Sequence, residues 1–219
     1  AAKALATHAQ KIGAAAIAAM APTFFRPVNV EQLVTWCAQI AAAAPDLPFY
    51  FYHIPGRTGV NVSVTEFLRL GSKQIPNLAG AKFTAEDMAD FGSALDLDDG
   101  RFNLLSGRDE MFLAARATGA HGAIGTTFNF AAPLYHELIA AFDDGDLATA
   151  QARQAQSREM ASYLLGYRAL GAFKAPMRMI GLDCGRVRLP NQDLSEEQFK
   201  VLQADLERMG FFDYCSKAA

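Results

Sequence analysis

Two kinds of apolar pattern alternate along the chain. One is a short continuous run of roughly four to eight residues, and the other spaces Leu, Ile, Phe and Ala three and four apart over about ten residues or more. The first suits a parallel strand buried on both faces, and the second is the stripe of an amphipathic helix. Read in this way, helices are predicted over 1–13, 30–44, 63–70, 85–95, 109–118 and 131–143, and strands over 14–22, 48–55, 78–83, 102–107 and 122–127. Gly13 is placed to stop the first helix, and Leu33, Trp36, Cys37 and Ile40 share one stripe of the second. The runs at 14–22 and 48–55 read as fully buried. Beyond residue 145 the alternation ends, and 146–172, 175–182 and 195–209 read as three helices with no strand between them.

Strands alternating with helices of this length imply βαβ units and a parallel sheet. Polar and reactive residues fall where the strands end: Tyr52 and His53, Lys82 and Thr84, Arg108 to Glu110, Thr126 to Asn129. Chemistry at the carboxyl ends of parallel strands is the layout of a (β/α)8 barrel or of a doubly wound sheet. The chain has no GxGxxG phosphate turn, which favours the barrel, although five strands cannot close one. The division expected is a β/α segment over 1–145 and a helical segment over 146–219.

Charge and composition narrow the partners. A formal charge of -3 with no block of Lys and Arg leaves no footprint for nucleic acid or an anionic membrane. Three cysteines, Cys37, Cys184 and Cys215, lack CxxC spacing and fit a reducing compartment, so a cytoplasmic location is expected. The alanine-rich start is interrupted by Lys3, His8, Gln10 and Lys11, which excludes reading it as a membrane span or signal peptide. His8, His53, His121 and His136 lack metal-ligand spacing and read as packing or surface residues. The run Asp143-Asp144-Gly145-Asp146 lacks the later ligands of a calcium loop and reads as a helix break with an N-cap.

The most reactive candidate is Lys82, delivered to the carboxyl end of the strand Leu78-Ala79-Gly80-Ala81-Lys82-Phe83. A lysine there can lose its proton if the walls are dry, and a neutral amine attacks ketones. The ordinary alternative is a surface lysine. Tyr52 alone reads equally as a core aromatic, Asp109 and Glu110 as first-turn acids favoured by the helix dipole, and Arg57 as half of a surface ion pair.

Taken together these residues form a pattern. Tyr52-His53-Ile54-Pro55, with Gly80-Ala81-Lys82 following, resembles the signature pair of the dihydrodipicolinate synthase and N-acetylneuraminate lyase superfamily of pyruvate aldolases. Gly107-Arg108-Asp109-Glu110 and Gly125-Thr126-Thr127-Phe128-Asn129 resemble its sialic acid lyase branch. The resemblance implies a (β/α)8 TIM barrel with a three-helix carboxyl-terminal extension, assembled as a homotetramer. It also implies that the first three β/α units, one carrying a turn for the pyruvate carboxylate, are absent from this sequence. Three open strand edges would be costly in water, so an incomplete record of a longer protein is expected over a truncated form.

The activity implied is cofactor-free and metal-free cleavage of N-acetylneuraminate to N-acetylmannosamine and pyruvate. The Lys82 amine would condense with the C2 ketone and lose water, leaving an iminium as electron sink. Tyr52 would shuttle the proton removed from the C4 hydroxyl as the C3–C4 bond breaks. The resulting enamine would be protonated and hydrolysed to pyruvate. Asp109 and Glu110 would bind the polyhydroxylated tail, with Thr84, Gly107 and Thr126 around the substrate. Phe24 stands where the synthase branch has its relay tyrosine, whereas Arg57 matches that branch's carboxylate-binding arginine. A dihydrodipicolinate synthase, a 2-keto-3-deoxygluconate aldolase and a non-catalytic barrel fragment therefore stand as alternatives.

Overall fold

The computed structural model describes residues 1–217. Its elements run α1 (Ala2–Lys11), β1 (Ile17–Met20), α2 (Val30–Ala41), β2 (Phe49–His53), α3 (Pro55–Thr58), α4 (Val64–Gly71), β3 (Leu78–Phe83), α5 (Met88–Asp96) and β4 (Asn103–Ser106). A single 3-10 turn, Asp109–Met111, then leads into α6 (Phe112–Thr118), β5 (Gly122–Ala123), α7 (Phe128–Asp143), α8 (Leu147–Gly166), α9 (Gly171–Met179), α10 (Glu196–Arg208) and α11 (Phe211–Tyr214). The chain divides into two compact units, one of Ala1–Arg108 with Ala115–Ile124, the other of Asp109–Ala114 with the chain from Gly125 onward.

The first unit is an α/β layer built on one parallel sheet in the order β1-β2-β3-β4-β5. Each strand pairs with the next in the chain, as right-handed βαβ connections of short length produce. The register aligns Met20 with Tyr52, Tyr52 with Lys82, and Lys82 with Leu105, so these four lie in one row across the sheet. Alternate residues of β2, Phe49, Phe51 and His53, are buried, whereas Tyr50 and Tyr52 are half-buried on the opposite face. Phe51 stacks on Phe67 of α4 at 4.2 Å. Burying such rings contributes about 2–3 kcal/mol each and welds strand to helix.

Caps fix where the helices begin. Asn29 accepts from the Gln32 N–H and Ser63 from the Glu66 N–H. Asp90 of α5 takes hydrogen bonds from the Ser63 hydroxyl and from the N–H groups of Val64 and Thr65, tying α5 to the first turn of α4. Burial alone would raise the Asp90 pKa, but those hydrogen bonds outweigh it and hold the carboxyl below its ordinary value.

The second unit is helical. Phe130, Leu134 and Leu138 of α7, Met160 and Leu164 of α8, Leu202 and Leu206 of α10, and Phe211 and Tyr214 of α11 supply its core. Ser195 and Gln198 close a reciprocal capping box at the start of α10. No helix among the described residues is long and apolar enough to cross a membrane. Cys37, Cys184 and Cys215 are unpaired, and burial pushes the Cys37 thiol up to about 12.

Several elements differ from their sequence expectation. The run at 14–22 yields only a four-residue strand, with Ile17 and Ala19 half-buried and Ala18 and Met20 exposed, because β1 is an edge strand paired among the described residues with β2 alone. The strand expected to reach Pro55 stops at His53, since Pro55 instead takes the first position of α3, where its missing N–H costs nothing. The helix expected over 146–172 ends at Gly166, and Arg168 then adopts a positive φ of 51°. Gly171, inside the helix expected over 146–172, begins α9, where a Cβ would lie 2.9 Å from the backbone of Asp193. Its role is close approach of two chain segments. The strand at 122–127 keeps only two residues.

Candidate active site

The lysine and tyrosine singled out by the sequence meet at the carboxyl ends of β2 and β3. Both side chains are half-buried, and Lys82 Nζ lies 4.2 Å from the centroid of the Tyr52 ring. In-register parallel pairing makes this contact obligatory: with period-2 alternation, aligned residues of adjacent strands project to the same face. A π face at that distance attracts a cationic nitrogen.

Thr84 follows β3, and its N–H donates to the His53 carbonyl at 2.8 Å, extending the ladder one step past the strand. Its hydroxyl oxygen is buried and has no hydrogen-bond partner among the described residues. Gly107 lies directly against it. A Cβ at Gly107 would fall 1.8 Å from Thr84 Oγ1 and 3.0 Å from Lys82 Cε, so glycine is required where these groups converge. Lys82 thus lies against Tyr52, and Gly107 against both Thr84 and Lys82.

Arg57 sits on α3, exposed, and no ion pair to it is found among the described residues. The short helix ends at Gly59 with a left-handed φ of 67°, and a Cβ there would overlap the Arg26 guanidinium at 2.6 Å. Arg26 of the loop after β1 therefore packs on the loop that presents Arg57. Arg108 forms an ion pair with Glu86.

The second unit holds the acidic pair. Asp109 is buried, at 7% exposure, and Glu110 is half-buried. Asp109 Oδ2 accepts from the Thr127 N–H at 2.8 Å and from the Thr127 hydroxyl at 2.6 Å. A Cβ on Gly125 would lie 1.7 Å from Asp109 Oδ1. Thr126 is exposed, and its carbonyl accepts from the Asn129 side chain at 2.9 Å. The Tyr135 hydroxyl bonds to both Thr127 Oγ1 and Ser157 Oγ. Burial first, and then the charge of Asp109, push the Tyr135 hydroxyl pKa upward, which keeps its proton in place.

Sequence reasoning missed Thr127, Tyr135, Gln154 and Ser157. A signal existed for two of them: in α8 the buried residues Ala150, Gln154, Ser157, Met160, Ala161 and Leu164 trace one stripe, and two of these are polar. Polar residues on a buried stripe must find partners. His53 was placed as a packing residue. It is 2% exposed between Phe51 and Phe83, and desolvation lowers its pKa to about 4 despite the opposing charge of Asp90. Among the described residues, no group of three or more His, Cys, Asp or Glu side chains could hold a metal ion.

Comparison with known proteins sets these residues in context. The Dihydrodipicolinate synthetase family matches residues 1–209. The chain is 38% identical to the N-acetylneuraminate lyase of Rattus norvegicus over 214 residues, covering 96% of this chain and 67% of that protein. Among solved structures, the N-acetylneuraminate lyase (sialic acid aldolase) of Aliivibrio salmonicida superposes with a TM-score of 0.91 at 37% identity, over 95% of this chain and 69% of that one. A dihydrodipicolinate synthase of Bacillus anthracis superposes with a TM-score of 0.85 at 29% identity, over 94% of this chain and 69% of that one. The chain thus spans about two thirds of the length of the relatives it matches. With the family matched over nearly all its length and its strand-end residues assembled in one parallel sheet, the chain belongs to the Dihydrodipicolinate synthetase family.

Proposed function

We propose that this protein is a class I aldolase acting as an N-acetylneuraminate lyase, cleaving N-acetylneuraminate reversibly to N-acetylmannosamine and pyruvate. The observation that carries the reading is the seating of Lys82 Nζ on the Tyr52 ring beside the unpartnered Thr84 hydroxyl. Lys82 forms the iminium with the C2 ketone and expels water. Tyr52 takes the C4 hydroxyl proton as the C3–C4 electron pair moves toward the iminium nitrogen, and the aldehyde leaves. The enamine gains a proton at C3, and water hydrolyses the resulting iminium to pyruvate and free lysine. The ring face that lies against Nζ also stabilises the cationic iminium. Thr84 and Gly107 contact the pyruvyl part of the substrate, and Asp109, Glu110 and Thr126 its polyol tail. The reading includes a cytoplasmic homotetramer. In it the five strands belong to an eight-stranded β/α barrel, and residues 146–219 form the helical extension.

The test is borohydride reduction of the full-length protein with pyruvate, followed by mass spectrometry of the peptide containing Lys82. A pyruvate-derived secondary amine on Lys82, missing from Lys82→Ala, is expected. A folded protein that yields no adduct would sink the reading.

Arg57 supports a second reading, in which the acceptor carries a carboxylate, as for a dihydrodipicolinate synthase or a related sugar-acid aldolase. An exposed guanidinium without an ion pair suits a second carboxylate. Condensation of pyruvate with aspartate semialdehyde faster than with N-acetylmannosamine would establish it.

A further inference from the structure

The hydrogen bonds around Asp109 form a closed ring. Thr127 donates from its N–H and its hydroxyl to Asp109 Oδ2. Thr127 Oγ1 bonds to the Tyr135 hydroxyl, which bonds in turn to Ser157 Oγ at 2.8 Å. Ser157 then donates to the backbone carbonyl of Asp109 at 3.0 Å, closing the circuit. Gln154 adds a second grip, donating to that carbonyl at 3.1 Å and accepting from the Leu113 N–H at 2.6 Å. Thr127, Tyr135, Gln154 and Ser157 are all buried.

The proton count assigns the roles. Three hydroxyls serve four contacts. The Thr127 proton is committed to the carboxylate and the Ser157 proton to the carbonyl, so the single Tyr135 proton is shared between Thr127 and Ser157. Tyr135 is the brace between two side chains that each hold Asp109 independently. Gripping both the side chain and the carbonyl of Asp109 fixes the backbone at the Asp109–Glu110 step, and with it the direction in which Glu110 leaves the turn. A surface turn needs no such enclosure, whereas a fully satisfied buried network selects one conformation.

Building on the aldolase reading, we infer that Tyr135 and Ser157 are positioning residues for substrate discrimination. By holding the Asp109–Glu110 step in one geometry, the ring sets the preference for a polyhydroxylated aldehyde over a short one. Neither residue takes part in forming the Schiff base.

The experiment compares Tyr135→Phe and Ser157→Ala with the unaltered full-length protein. Condensation of pyruvate with N-acetylmannosamine and with glyceraldehyde is measured, together with borohydride trapping of pyruvate on Lys82. Tyr135→Phe preserves the ring shape and both bonds to Asp109, so it keeps the packing. The expected result is undiminished trapping and a fall of roughly five- to tenfold in the kcat/KM ratio of N-acetylmannosamine to glyceraldehyde, carried mainly by KM. If both acceptors decline in proportion while trapping persists, the ring is a general brace and the inference is overturned. If the unaltered protein traps no pyruvate, the aldolase reading fails and this inference falls with it.

Discussion

The strand ends of the first unit and the buried ring of the second treat polar groups in opposite ways. Around Lys82 the side chains are half-buried, the Thr84 hydroxyl has no partner among the described residues, and glycine at 107 keeps space open against both. Around Asp109 the hydroxyls of Thr127, Tyr135 and Ser157 are buried and bonded in a chain, Tyr135 in the middle, whose two ends hold the same aspartate. A buried polar group left unsatisfied costs about 1–3 kcal/mol, a cost that a ligand supplying the missing bond at Thr84 would remove. A satisfied network instead fixes conformation. The comparison therefore separates groups left open to a ligand from groups that hold one another in place, although both kinds are polar, enclosed and carried by elements of ordinary sequence.

That separation is broken most directly at the strand ends. Lys82→Ala should abolish aldol cleavage, with a loss of about a thousandfold or more in kcat, because no other group on the row Met20, Tyr52, Lys82, Leu105 can form an iminium. Its melting temperature should change little, as the side chain is only half-buried. Measuring pyruvate release beside thermal unfolding decides this, and an active variant would refute the assignment. Tyr52→Phe comes next. It keeps the ring face against Nζ and removes only the hydroxyl, so kcat should fall by roughly a hundredfold or more while borohydride still traps pyruvate on Lys82. Loss of trapping as well would mean that the Tyr52 hydroxyl is also needed to form the Schiff base, since the variant retains the ring face against Nζ.

The pairing of Lys82 with Tyr52 was legible in the sequence because both lie on regular strands. Period-2 alternation in 78–83 puts Lys82 on the face of Tyr52, and the observed strand Leu78–Phe83 has the expected bounds. The ring around Asp109 was not legible. Thr127 stands outside the interior of any helix or strand, at the N-cap of α7, and no periodicity announces that its hydroxyl turns inward. Ser157 and Tyr135 are 22 residues apart, and nothing local indicates that they bond. Helix boundaries near 170 were misjudged for a related reason: Gly171 serves a tertiary contact with the Asp193 backbone, which no local propensity encodes. The expected full burial of β1 failed because an apolar run does not reveal that its strand will stand at the edge of the sheet.

His53 sharpens the same contrast through pH. It is buried with Nδ1 unpartnered, yet it lies on the helix-facing side of β2, opposite Tyr52, and so belongs to stability and not to the site. Its folded pKa is lowered from 6.5 to about 4. The unfolded chain therefore binds a proton that the folded chain resists. Stability from this source is intact above about pH 6.5, is lost as pH falls toward 4, and levels off below that, for a total of about 3 kcal/mol. Denaturant unfolding at pH 7 and pH 4.5 should show a smaller loss in His53→Phe than in the unaltered protein. An equal loss in both would mean that His53 is not the group being protonated.

The smallest expected effect is at Arg57. The side chain is exposed on a four-residue helix, so Arg57→Ala should alter stability by no more than about 0.5 kcal/mol. Its consequence depends on the acceptor. A lyase that binds a neutral sugar aldehyde has no need of a second guanidinium, and N-acetylmannosamine turnover should then change less than about threefold, the scale of a surface charge removed at a distance. If an acceptor carboxylate pairs with Arg57, its loss should raise KM for that acceptor by roughly tenfold or more, in line with a charged hydrogen bond. Measuring both acceptors on Arg57→Ala also tests whether the unpartnered groups of this chain mark its chemistry. Arg57 resembles Thr84 in lacking a visible partner but differs in being open to water, which can satisfy a guanidinium at no cost. An unchanged KM for both acceptors would therefore mean that a guanidinium already satisfied by water does not mark a site.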